Sequence, residues 1–137
     1  MAIKNQHLCV LIMGLPGSGK TTVAKVVSKQ LKALFIEADD HHSIQNIIKM
    51  SKGHPLTDLD RKKWLSSILN KARKSIKSQN VVIACSALKE KYRKSLISLN
   101  FQLVYLKIEP DVALRRILKR KKHFMPPSLL ELSLIHI

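Results

Sequence analysis

Short, continuously apolar segments alternate along the chain with longer segments in which apolar residues recur at helical spacing. The apolar segments lie at residues 8–13, 34–36, 81–85 and 101–108. Strands that are apolar on both faces are typical of a parallel sheet covered by helices on both sides. The pattern therefore predicts an α/β fold with four parallel strands in one domain.

The segment after the first predicted strand has a helical pattern. Val23, Val27 and Leu31 recur every four residues, and Val26 is expected to complete their apolar stripe. This spacing predicts an amphipathic helix that begins at Lys20.

Further helices are predicted from spacing and from end signals. Residues 44–48 contain three isoleucines and predict a short helix, and residues 88–96 predict another. Thr57 with Asp60 three residues later resembles a capping box at the start of a long helix. Pro110 fits the first turn of the last predicted helix. The expected apolar face of the long helix consists of Leu65, Ile68, Leu69, Ala72 and Ile76.

A glycine-rich sequence joins the first strand to the first helix. It matches the P-loop pattern at every fixed position, in the order Gly14, Leu15, Pro16, Gly17, Ser18, Gly19, Lys20 and Thr21. Its backbone N–H groups and the helix N-terminus favour phosphate, the lysine reaches the terminal phosphates, and the threonine hydroxyl binds Mg²⁺. We therefore predict that these residues bind a nucleotide and Mg²⁺, although a P-loop alone does not distinguish a kinase from a GTPase or a motor.

Three acidic residues follow the second strand. Glu37, Asp39 and Asp40 lie within four positions, at the sheet edge where ligands bind in open α/β folds. A carboxylate there can accept a proton from a substrate hydroxyl or hold water around Mg²⁺. The alternative is a solvated acidic turn.

Basic residues follow the third strand and the last helix. Lys89 and Arg93 are four apart on one predicted helical face, where they hold an acidic substrate or are simply solvated. Arg116 and Arg120 belong to a run of cations that is either an exposed helix face or a lid whose arginines close over the transferring phosphate.

The net charge of +16, from 25 Lys+Arg against 9 Asp+Glu, favours anionic partners. A basic nucleic-acid-binding module is one alternative, but the chain has only six aromatic residues and no stacking motif for RNA or single strands. The apolar segment at residues 8–13 is too short to span a bilayer or to act as a secretory signal. We expect a cytoplasmic protein with no specific nucleic-acid partner and no membrane partner, and with Cys9 and Cys85 as buried thiols.

From about residue 8 to residue 130 the chain resembles the gluconokinase family. The shared strings are more specific than the P-loop. Those before residue 66 are D-D-H-H at 39–42, N-I at 46–47, K-M at 49–50, Gly53, P-L at 55–56, Asp58, D-R at 60–61 and W-L at 64–65. Those after it are C-S-A-L-K at 85–89, Y-R at 92–93, V-Y-L-K at 104–107 and H-F-M-P-P-S-L-L at 123–130.

The resemblance implies a nucleoside-monophosphate-kinase-like P-loop fold of three layers and ATP-dependent phosphorylation of D-gluconate to 6-phospho-D-gluconate. It implies that the nucleotide bound by residues 14–21 is ATP. It implies that Asp39 contacts the accepting hydroxyl and that Arg120 belongs to a lid, and with Lys20 these are the predicted catalytic residues. Thr21 and Glu37 are the predicted metal ligands. The predicted substrate-binding residues are Asp39, His42, Arg61, Lys89 and Arg93.

The sequence also departs from the family pattern. Glu37 stands where Asp is expected, and residues 131–137 do not resemble the family's continuation. We therefore expect an incomplete kinase domain over residues 1–130 and a divergent tail over 131–137. The fifth, edge strand of the sheet would then be missing, which predicts an unpaired edge on the fourth strand and reduced stability and activity. A shikimate-type kinase and an inactive nucleotide-binding relative remain as alternatives.

Overall fold

The computed structural model describes residues 7–86, 94 and 101–119. Its strands are β1 (Cys9–Gly14), β2 (Leu34–Glu37), β3 (Val81–Ala84) and β4 (Gln102–Leu106). Its helices are α1 (Lys20–Leu31), α2 (Ile44–Ser51), α3 (Asp58–Ser75) and α4 (Pro110–Leu118), with a 3-10 helix at Ala38–His41. The predicted helix at residues 88–96, except Lys94, and all predictions after residue 119 lie outside the described residues.

The four strands form one parallel sheet in the order β2-β3-β1-β4, which confirms the predicted α/β fold. Strand β1 lies between β3 and β4. Its pairing aligns Ile12 with Ala84, and the pairing of β2 aligns Glu37 with the same Ala84. Because the strands are parallel and in this register, the loop after β1 and the acidic segment after β2 begin at the same edge of the sheet.

Helices pack on both faces of the sheet, as the continuously apolar strands predict. On one face, the buried side of α3 packs against β1, β2 and β3 around Leu11, Ile36 and Ile83. On the other face, α1 packs around Ile12 and Val82. The fold therefore has three layers, with the sheet between α1 and α3. The P-loop and the acidic segment follow strands of the middle layer.

Both cysteines are buried and reduced, as predicted. Burial raises the pKa of the Cys9 thiol to about 12, so this thiol remains protonated and behaves as an apolar core group.

The start of α3 has the predicted capping box. The Thr57 side chain accepts from the backbone N–H of Asp60, and the Asp60 carboxylate accepts from the backbone N–H of Thr57. Lys49 of α2 donates to the same carboxylate at 2.9 Å. These bonds satisfy N–H groups that a helix start leaves unpaired, and they tie α2 to α3.

The predicted apolar stripe of α1 is wrong at Val26, and one isoleucine of α2 is also exposed. Val26 of α1 is 53% exposed, while Ala24 and Ser28 are the buried residues of that helix. In α2, Ile44 is 72% exposed. Helical spacing indicates that a helix forms, but the choice of packed face depends on the neighbouring elements.

The side chains of strand β4 are more exposed than its apolar sequence predicts. Its residues Leu103, Val104 and Tyr105 are 39–52% exposed, whereas the strand β1 beside it is buried throughout. Within the described residues β4 pairs with β1 alone, so its apolar side chains are covered much less than a continuously apolar strand predicts.

Candidate active site

The glycine-rich segment forms a tight loop between β1 and α1. Gly17 and Gly19 have φ angles of +82° and +93°, values that side chains disfavour. A Cβ at Gly17 would lie 2.7 Å from the backbone oxygen of Ala113 in α4. The loop therefore needs glycine at position 17 both for its own turn and for its contact with α4.

Polar groups within the loop suit an anionic ligand. Lys20 Nζ reaches back across the loop and donates to the backbone oxygen of Leu15 at 3.2 Å. Ser18 Oγ is buried and has no hydrogen-bond partner among the described residues. A buried hydroxyl of this kind is costly unless a ligand or water satisfies it, and a phosphate oxygen is a suitable partner.

The Thr21 hydroxyl contacts the Glu37 carboxylate and donates a hydrogen bond to its Oε2 atom. This contact joins the first turn of α1 to the end of β2, so the P-loop and the acidic segment form one site. The pKa of Glu37 is raised, first by burial and then by the charge of Asp39, while the bond from Thr21 acts in the opposite direction. Two hard oxygen donors meet here, which is the donor chemistry that Mg²⁺ prefers.

Asp39 lies in the 3-10 helix directly after Glu37. Its backbone N–H donates to Glu37 Oε1 at 3.4 Å, so the two carboxylate oxygens of Glu37 contact different elements. Glu37 therefore contacts both Thr21 of α1 and the backbone of Asp39. Asp40 lies in the same turn.

His42 follows the 3-10 helix and stacks on Trp64 of α3, with ring centroids 4.3 Å apart and planes 15° apart. Burial lowers the pKa of His42 to about 4; nearby Asp39 opposes this shift, and Arg61 and His41 add to it. His42 is therefore neutral at pH 7. Since Asp39 and Arg61 both act on its pKa, the structure brings these three predicted substrate residues together.

Trp64 of α3 is a buried residue that was not among the predicted site residues. The structure places its buried Nε1 atom 2.6 Å from the backbone oxygen of Ala38, to which it donates. The signal in the sequence was a tryptophan, which needs a partner for its N–H when buried. The partner itself lies 26 positions away and cannot be found from spacing.

Arg116 lies against the P-loop. Its Nη1 atom donates to the backbone oxygen of Gly17 at 3.2 Å, which disagrees with the plain surface-charge alternative. The predicted site residues Lys89, Arg93 and Arg120 lie outside the described residues.

Two further findings concern metal clusters and membrane-spanning helices. Within residues 7–86, 94 and 101–119, no group of three or more His, Cys, Asp or Glu residues is placed to hold a metal ion. In the same part of the chain, no helix has the length and apolar character needed to cross a membrane.

Comparisons with known proteins agree with this geometry. The family model for shikimate kinase matches residues 16–132. The chain is 39% identical to a probable gluconokinase of Xenopus tropicalis over 90% of this chain and 75% of the relative. It is 42% identical to the thermoresistant gluconokinase of Escherichia coli K12 over 92% of this chain and 74% of the relative.

A solved structure is similar over nearly the whole chain. A sugar kinase of Janibacter sp. HTCC2649 superposes with a TM-score of 0.87 at 39% identity, over 95% of this chain and 77% of that protein. Fold and site together define a P-loop kinase of the small-molecule class. Within that class, the chain belongs to the gluconokinase family, and it also matches the shikimate kinase family model.

Proposed function

We propose that this protein transfers the γ-phosphoryl group of ATP to a hydroxyl of D-gluconate and forms 6-phospho-D-gluconate. The contact between Thr21 and Glu37 carries the chemical part of this proposal, because it joins the phosphate loop to the carboxylates after β2. The identity of about 40% to relatives named gluconokinase supports the choice of acceptor.

The P-loop binds the nucleotide in this proposal. Backbone N–H groups of residues 14–21 hold phosphate oxygens, and the ligand satisfies the buried Ser18 hydroxyl. Lys20 exchanges its bond to the Leu15 oxygen for the terminal phosphates, where its charge stabilises the transferred group. Arg120 is proposed to add a second positive charge from the lid.

Thr21 and Glu37 would hold Mg²⁺. The hydroxyl would bind the ion, as the threonine or serine of a P-loop does, and the carboxylate would bind the ion or a water molecule on it. When bound, the ion neutralises charge on the β- and γ-phosphates. Burial is the first cause of the raised pKa of Glu37, and a bound cation would favour the ionised carboxylate.

Asp39 acts on the acceptor. Its carboxylate takes the proton of the attacking hydroxyl as the new oxygen–phosphorus bond forms and the bond between the γ-phosphorus and the bridging oxygen of ADP breaks. His42, Arg61, Lys89 and Arg93 are proposed to bind gluconate. The neutral ring of His42 offers a hydrogen bond to a hydroxyl, and the three cations attract the carboxylate.

An acceptor panel tests the function. ADP release would be measured with gluconate, glucose and shikimate, and the products identified by mass spectrometry. Gluconate should give the highest kcat/KM, and glucose should be poor because it lacks the carboxylate. Phosphorylation of shikimate in preference to gluconate would establish the alternative that the matching family model favours.

A further inference from the structure

The segment that carries Glu37 and Asp39 needs support from outside itself. It consists of the end of β2 and a 3-10 helix of four residues, and such helices have poor internal hydrogen-bond geometry. Two bonds that link the 3-10 helix to its flanking residues, from Asp39 N–H to Glu37 Oε1 and from His42 N–H to the Asp39 oxygen, are both 3.4 Å long. Bonds of this length hold the two ends of the 3-10 helix weakly.

Trp64 supplies a stronger bond to this segment. Its indole N–H donates to the Ala38 oxygen at 2.6 Å in a buried setting, and Ala38 is fully buried between Glu37 and Asp39. Hydrogen bonds in a dry environment are directional and costly to leave unmade. The bond therefore fixes the peptide group that joins the two functional carboxylates.

The face of the same indole carries His42 at the other end of the segment, in the stack described above. Trp64 is itself fixed, because it is only 6% exposed and its neighbours Leu65 and Ile68 pack against the sheet. One rigid side chain of α3 thus holds the segment at both ends.

We propose that Trp64 is a positioning residue for phosphoryl transfer, acting through Ala38 and His42 to aim Glu37 at Thr21 and Asp39 at the acceptor hydroxyl. This inference rests on the proposed function for the roles of Glu37 and Asp39.

The chain has a single tryptophan, which permits a test at one atom. Biosynthetic replacement of tryptophan by β-(3-benzothienyl)alanine exchanges the indole N–H for sulfur and keeps the ring shape. With this replacement, kcat/KM for gluconate should fall roughly tenfold, the effect of one ordinary hydrogen bond. KM for ATP should stay within about twofold, because the P-loop is not altered.

Trp64→Phe is a second variant. It should likewise lower kcat/KM for gluconate and leave KM for ATP within about twofold. Ile68→Val is the matched control, since Ile68 lies one turn further along α3 in the same core cluster. It should lower thermal stability and leave kcat/KM unchanged within about twofold. Unchanged kinetics with the benzothienyl residue, or an equal loss in Ile68→Val, would overturn the proposal.

Hydrogen–deuterium exchange separates this inference from the proposed function. Loss of the indole N–H should speed exchange of a peptide covering residues 37–42 and leave a peptide covering residues 9–14 unchanged. If the unmodified protein fails to phosphorylate gluconate, the proposed function is wrong, and faster exchange at 37–42 still supports the positioning contact. Unchanged exchange in both peptides refutes the contact whatever the activity.

Discussion

At the scale of single residues, the Thr21–Glu37 contact is the feature that turns two loops into one site. Thr21→Val keeps the shape of the side chain and removes its oxygen. We expect the Mg²⁺ concentration for half-maximal activity to rise and kcat to fall about tenfold or more. The neighbouring Thr22 is exposed, so Thr22→Val is the matched control and should behave as the unmodified protein. An identical Mg²⁺ dependence in both variants would show that Thr21 does not bind the ion.

Arg116 supports the P-loop from α4. Its bond to the Gly17 oxygen stabilises the turn whose N–H groups are proposed to hold phosphate. Arg116→Ala should therefore raise KM for ATP about five- to tenfold, as expected for one ordinary hydrogen bond. Arg115 precedes it on the same helix and is exposed; Arg115→Ala should have little effect. Equal KM values in the two variants would contradict the support role and favour a plain surface charge.

At the scale of elements, the contact between α2 and α3 should make the stability of the folded state depend on pH. The hydrogen bond from Lys49, and then that from the Thr57 N–H, lowers the pKa of Asp60 to about 2 from an ordinary value of 3.8. A lowered carboxyl pKa stabilises the folded state above the unfolded pKa, and this contribution disappears as pH falls from about 4 to about 2.

Thermal unfolding between pH 5 and pH 2 measures that contribution. Asp60→Asn should lower the midpoint at pH 5, and the difference from the unmodified protein should shrink towards pH 2. Lys49→Met removes the hydrogen bond that lowers the pKa of Asp60 most. Its midpoint should also approach that of the unmodified protein towards pH 2, with a smaller difference at pH 5. A difference that stays constant over this pH range would contradict the assigned pairing.

The elements also show how far the sequence could predict the structure. The four strands, the P-loop and the capping box at Thr57 follow local rules and were all predicted. The exposure of Ile44 in α2 was not predicted, because burial depends on which neighbouring element covers a helix. The bond from Trp64 to Ala38 joins positions far apart in sequence, and no local pattern encodes it.

At the scale of the whole molecule, the charge of +16 calls for a test of the nucleic-acid alternative. If the excess of positive charge attracts only small anions, a duplex DNA or RNA should bind weakly. Its affinity should also fall steeply between about 50 and 200 mM salt, as purely electrostatic contacts do. Fluorescence anisotropy with two unrelated sequences measures this. Tight binding at physiological salt with preference for one sequence would favour a nucleic-acid function.

Asp39 is the residue proposed to activate the acceptor hydroxyl, and the proposed reaction requires its carboxylate. The most direct test compares single-turnover phosphoryl transfer from ATP to gluconate in the unmodified protein and in Asp39→Asn, with ATP affinity measured in parallel. Asp39→Asn should lower the rate about 10²- to 10⁴-fold, the usual contribution of a general base, and leave ATP affinity nearly unchanged. A variant that forms 6-phosphogluconate at a near-normal rate would contradict this role of Asp39.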